Sequence, residues 1–245
     1  MASKAFPRIV TALLLLTLAL PALAGSLADR WSARLKEVDQ KLRAQQWDAA
    51  QKQARKVSRQ IVEGAGSGEG ASYSLAVVSA FQAIAAAGLG HEDEADWYWT
   101  TALNLYPEIA KTNLAPYGPA AAGLKTRQVR FKDDDTQDPA RKQVVITPEK
   151  PQEGVQPPKV LRQVRPEFPS GLRQLGVTAN VVVETIIGED GVPRHPLVLT
   201  MGGGVPAMKY VALNSLREWR FEPARLEGKP VKVYYVLTVN FQIKG

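Results

Sequence analysis

Few stretches of this sequence carry residue types that do chemistry. The triplet Asp133-Asp134-Asp135 has the hard oxygens of a cation site, but it lacks the glycine and the distal glutamate of a calcium loop and reads as the solvated edge of a linker. Met201-Gly202-Gly203-Gly204-Val205 precedes a helical pattern, where backbone amides can cradle a phosphate. Its spacing fits neither dinucleotide nor triphosphate motifs and suits a strand-to-helix turn. His91 and His195 fall in different segments, with no nucleophile or further ligand at a working spacing. There is no cysteine, no serine elbow, no HExxH and no paired-carboxylate arrangement. The expectation is therefore a protein that is not an enzyme, with no catalytic residue, no metal and no cofactor.

The remaining chemistry is recognition by backbone and surface. Val231, Val233, Tyr235, Leu237, Val239, Phe241 and Ile243 alternate with Lys232, Thr238, Asn240, Gln242 and Lys244, the period of a half-buried strand. Tyr234 and Val236 are apolar exceptions on the outer face. This alternating terminal strand resembles the closing strand of TonB-type C-terminal domains, and the resemblance implies an edge that offers main-chain pairing to an extended segment. The candidate partner-binding residues are Lys232, Tyr234, Val236, Thr238 and Asn240 along that strand and Arg220 at its base. The plainer reading makes them solvated strand residues.

The elements that position this strand are legible upstream. Pro206 to Trp219 reads as a helix, Trp219-Arg220-Phe221-Glu222-Pro223-Ala224 as a compact turn, and Glu227-Gly228-Lys229-Pro230 as a second turn. Before them, Arg165-Pro166-Glu167-Phe168-Pro169 leads into a short helix at Leu172–Gly176. A strand at Val177–Ile187, a turn at Gly188-Glu189-Asp190-Gly191 and a strand at Val192–Leu199 follow. This order, with its W-R-F-x-P-A and G-x-P-V landmarks, resembles the C-terminal domain of TonB-type energy transducers.

The first half is helical. Leu27, Trp31, Leu35, Val38 and Leu42 mark one amphipathic face, and Trp47, Ala50, Ala54, Val57 and Ile61 a second. A glycine-rich break at 64–70 separates them from an alanine-rich helix over Tyr73–Leu89, and a short helix at Tyr117–Lys125 closes the segment. Gly90, Ala95, Ala102 and Pro107 sit at spacings that resemble the second half of a tetratricopeptide repeat, with Gln46-Trp47-Asp48-Ala49-Ala50 as a less regular copy. Trp97, Tyr98 and Trp99 read as core, with one of the three free to line a groove.

The domain organisation expected over the 245 residues is a signal peptide over 1–24, a helical domain over 25–130, a linker over 131–159 and a C-terminal domain over 160–245. Lys4 and Arg8, the apolar run Ile9–Leu20 and Pro21-Ala22-Leu23-Ala24 have the form of a cleaved leader. The linker is proline-rich and tethers the domains without fixing their geometry. Export to the periplasm removes nucleic acid as a partner despite the net charge of +7. The fold class expected is α + α/β multidomain, a helical TPR-like repeat module followed by an α+β domain with a small antiparallel sheet. The resemblance implies a periplasmic protein-binding module that recognises an extended peptide or sheet edge of an outer-membrane receptor or other envelope partner, in TonB-dependent transport. Inner-membrane motor proteins join the implied partners where the leader is retained, and a homodimer is left open. The alternative is an envelope scaffold or adaptor with no energy-transducing role.

Overall fold

The computed structural model describes residues 27–64, 69–128, 145–146, 154–168, 173, 176 and 178–241. The leader, the Asp133–Asp135 triplet, most of the linker and nearly all of the short helix expected at Leu172–Gly176 lie outside the described residues.

The helical lobe runs α1 (Leu27–Arg43), α2 (Trp47–Gly64), α3 (Glu69–Gly88), α4 (Glu92–Leu105), two 3-10 turns (Pro107–Lys111 and Ala115–Tyr117) and α5 (Pro119–Gln128). The amphipathic faces pack as their spacing predicts, with Trp31, Val38 and Leu42 of α1 and Ala50, Ala54, Val57 and Ile61 of α2 buried. Over Ala71–Gly88, α3 is long and apolar enough to cross a membrane, yet 72% of that stretch is buried inside the lobe. It is the central core helix, lined by alanines that let α2 and α4 approach closely. The tightest approach is at Gly88, where an added Cβ would stand 2.3 Å from the Trp47 ring. Gly90, at φ +76°, makes the turn into α4.

The C-terminal lobe contains β1 (Val145–Ile146), β2 (Val155–Gln156), β3 (Lys159–Arg162), β4 (Ala179–Ile187), β5 (Pro193–Gly203), α6 (Ala207–Arg217), β6 (Arg220–Glu222), β7 (Ala224–Leu226), β8 (Lys229–Val231) and β9 (Val233–Phe241). The main sheet has the order β1-β9-β4-β5, antiparallel except for β1, with smaller sheets β2-β7-β8 and β3-β6 beside it. Alternation along β4 is complete, Ala179, Val181, Val183, Thr185 and Ile187 being buried. The β4–β5 hairpin turns at Gly191 (φ +71°), whose carbonyl accepts the N–H of Phe221 at 2.9 Å. Only glycine fits there, because a Cβ would stand 1.8 Å from the Phe221 carbonyl oxygen.

Three expectations change. The closing strand is not continuous from Val231: the Glu227-Gly228 turn sends Lys229–Val231 back along β7 as β8, and the main-sheet strand starts after Lys232. The second hairpin strand runs to Gly203, so the glycine run is mostly strand and the turn falls at Gly203 and Gly204 (φ +72° and +73°). Finally, the two lobes are packed against each other through α4, β5 and α6, so a flexible tether does not leave their geometry open.

Candidate protein-interaction site

The inner side of β9 is paired with β4 along its whole length, from Ile187 opposite Val233 to Ala179 opposite Phe241. Its outer side meets β1, running parallel, with Val145 opposite Tyr234 and Ile146 opposite Tyr235. Among the described residues no further strand pairs with β9 beyond Tyr235. Thr238 and Asn240 are exposed and alternate with buried Val239 and Phe241, as the sequence predicts, and Val236 is half-buried. Aromatic contacts fix the strand from below: Phe168 lies 5.8 Å from Phe241, Phe221 lies 5.9 Å from Tyr235, and the indole N–H of Trp219 donates to the Val164 carbonyl at 2.8 Å.

Two of the expected residues do not stand at the edge. Tyr234 is only 8% exposed, and its backbone is flanked by β4 on one side and β1 on the other. Arg220 belongs to β6 and turns its Nη1 onto the carbonyls of Arg217 (3.1 Å) and Trp219 (2.6 Å), closing the C-terminal end of α6. Lys232 is exposed in the gap between β8 and β9.

The opposite edge of the sheet is closed by the helical lobe. Asn104 of α4 donates from Nδ2 to the Pro196 carbonyl at 2.7 Å and accepts the Val198 N–H at 2.7 Å on Oδ1. A side-chain amide thus satisfies β5 in the way a neighbouring strand would. His195, beside it, takes φ +48° at an irregularity in the β4–β5 pairing, where the buried hydroxyl of Thr185 donates to the Arg194 carbonyl at 2.7 Å.

Charged residues complete the contact between the lobes. Arg194 forks onto Asp190 through two 2.8 Å bonds and reaches Asp93 of α4 at 3.2 Å, and this guanidinium holds the Asp190 carboxyl down at about 2. Glu94 accepts from Arg55 and from Arg217, each at 2.8 Å, and Arg217 lies over the Tyr98 ring at 5.1 Å. Burial pushes the Tyr98 hydroxyl up to about 12, keeping it neutral. Trp97, Tyr98 and Trp99 are all buried, and Tyr98 is the one that also lines the cleft between the lobes. Sequence reading missed Asn104, Asp93, Glu94, Arg194 and Arg217. The only signal was their polarity beside otherwise apolar faces, and it names no partner.

The C-terminal lobe thus combines a terminal strand paired on its outer side only at Tyr234 and Tyr235 among the described residues, a two-strand hairpin, and a helix packed on that hairpin. Residues 164–243 match the family model described as Gram-negative bacterial TonB protein C-terminal. The chain is also similar to Protein TonB from Vibrio cholerae serotype O1, 28% identical over 89 residues, which are 36% of this chain and 36% of that protein. The chain thus spans about a third of the length of the curated relative it matches. The residues matched by the family model fall within the C-terminal lobe.

Proposed function

We propose that the TonB-like domain is a periplasmic receptor for an extended segment of an outer-membrane or other envelope protein, which adds as a strand to the outer edge of β9 during TonB-dependent transport. The observation that carries this reading is the pairing of the chain's own Val145–Ile146 with Tyr234–Tyr235: this edge accepts an extended segment, running parallel to it. Thr238 and Asn240 would contact the added strand from the exposed face, with Val236 beside them. Each added backbone hydrogen bond contributes about 0.5–1.5 kcal/mol net, so a short segment binds weakly unless side chains or tethering add to it. The test is titration of the full chain with receptor N-terminal peptides, followed by backbone amide shifts. Saturable shifts confined to Val236–Phe241 support strand addition, and no shift at millimolar peptide rejects it.

A second reading is an envelope scaffold or adaptor that drives no transport. The packing of the helical lobe onto β5 and α6 favours it, since this gives one two-lobed body presenting two surfaces in fixed relation. Capture from envelope extract separates the readings. Motor proteins and receptors are recovered under the first, and neither under the second. Determining the mature N-terminus decides whether the leader is removed, as proposed, or kept as an anchor through which motor proteins act.

A further inference from the structure

Between the lobes lies a cleft of about 400 Å3, within the ~300–1,000 Å3 range of small-ligand sites, which favour domain boundaries. Its walls come from α2, α3 and α4 on one side and from α6 and the segment 164–167 on the other. Three of the polar residues lining it are buried: Gln82 is 1% exposed, Tyr98 3% and Tyr210 4%. The Tyr210 hydroxyl donates to the Gln82 carbonyl oxygen at 3.5 Å, the outer limit of such a bond. On the same wall, the Nε of Arg217 is buried with no hydrogen-bond partner among the described residues. Buried polar groups are rarely left so without a ligand or water to meet them.

The cleft is also rich in arginine. Arg55 and Arg217 share the single carboxylate of Glu94, while Arg59 and Arg165 have no carboxylate partner among the described residues. The carboxylates of Glu167 and Glu218 lie on the same walls, so with Glu94 four guanidiniums face three carboxylates. Planar guanidinium forks match a carboxylate in a bidentate way. A lone inorganic anion would leave most of the cleft unused. A peptide supplies both an anionic end and amide groups that donate and accept.

We propose that this cleft binds a short peptide through its free C-terminal carboxylate, with Arg59 and Arg165 holding the carboxylate and Gln82, Tyr98 and Tyr210 the adjoining amides. The ligand is either a free peptide fragment or the C-terminal tail of a protein.

The experiment is calorimetric titration of the full chain with four probes: tri-alanine, its C-terminal amide, a ten-residue peptide ending in the same three alanines, and inorganic phosphate. Tri-alanine is expected to saturate, with the amide at least about tenfold weaker. Equal binding of the ten-residue peptide assigns the site to protein tails, and its exclusion to free fragments. Arg59 and Arg165 are exposed, so Arg59→Ala/Arg165→Ala should fold normally and weaken tri-alanine at least about tenfold. Denaturant melts of that variant, matching the parent, establish that the loss is local. Absence of saturation by about 20 mM tri-alanine overturns the proposal, the cleft then holding water alone. Phosphate binding as tightly as tri-alanine, equal affinity for the amide, or an unaffected double variant overturns it as well.

Discussion

Asn104 and Val198 meet across the lobe boundary at 2.7 Å, the strand N–H donating to the side-chain carbonyl of a residue 94 positions earlier. With the bond to the Pro196 carbonyl, this joins α4 to β5 and fills hydrogen bonds that a free strand edge would leave exposed. Asn104→Ala is expected to cost about 1–3 kcal/mol, the range for stranding partly buried backbone groups. Urea denaturation measures it, and amide exchange at Val198 should rise in the same variant. Unchanged exchange there would mean that the contact does not hold the edge.

Gly191 ties the hairpin turn to β6. Gly191→Ala forces a side chain against the Phe221 carbonyl and strains a backbone at φ +71°, so the expected loss is about 3 kcal/mol or more. Gly90→Ala has open space around the added Cβ and bears only the left-handed backbone penalty, about 1–2 kcal/mol. The ordering of the two melting curves is the check.

A peptide long enough to pair beyond Val236 competes with β1 for Tyr234 and Tyr235, so freeing those two residues should strengthen its binding. A flexible tether supplies an effective concentration of about millimolar, comparable with the dissociation constant of so short a pairing, so the gain is about twofold. Val145→Pro/Ile146→Pro removes both amide donors of β1 and should show it in a peptide titration. Weaker binding in this variant would instead make β1 part of the receptor surface.

Acid and alkali should act on different residues. The folded Asp190 carboxyl lies near 2 against 3.8 for the free group, so its contribution is present above about pH 4 and lost as pH falls towards 2. The pair is half exposed, which limits the effect to under about 1 kcal/mol. Asp190→Asn should flatten the acid limb of stability against pH. The folded Tyr98 hydroxyl lies near 12 against 10.0, so its contribution holds below pH 10 and disappears as pH rises through 12, and Tyr98→Phe should remove that loss.

Local order was open to sequence reading where one residue type repeats at one period. The buried faces of α1 and α2, the alternation along β4 and the exposed Thr238 and Asn240 all follow from spacing. Contacts between distant segments were not. The turn at Glu227-Gly228 was legible, but the pairing of Lys229 back on Leu226 was not, because the alternation from Val231 runs unbroken into β9. Tyr234 is buried where the spacing predicts exposure, and the strand paired on its outer side comes from a segment that reads as linker. Arg220 was placed at the edge by its nearness in sequence, whereas the carbonyls at the end of α6 offered its guanidinium closer acceptors.

The position of β1 sets a length. With Tyr234 and Tyr235 occupied, the described part of β9 still unpaired on its outer side is Val236–Phe241, six residues or about 20 Å of strand. Affinity should therefore climb with each residue added to a partner peptide up to about six. It should then level off, because extending the match further requires evicting Val145 and Ile146. The edge acts as a ruler whose stop is supplied by the chain itself.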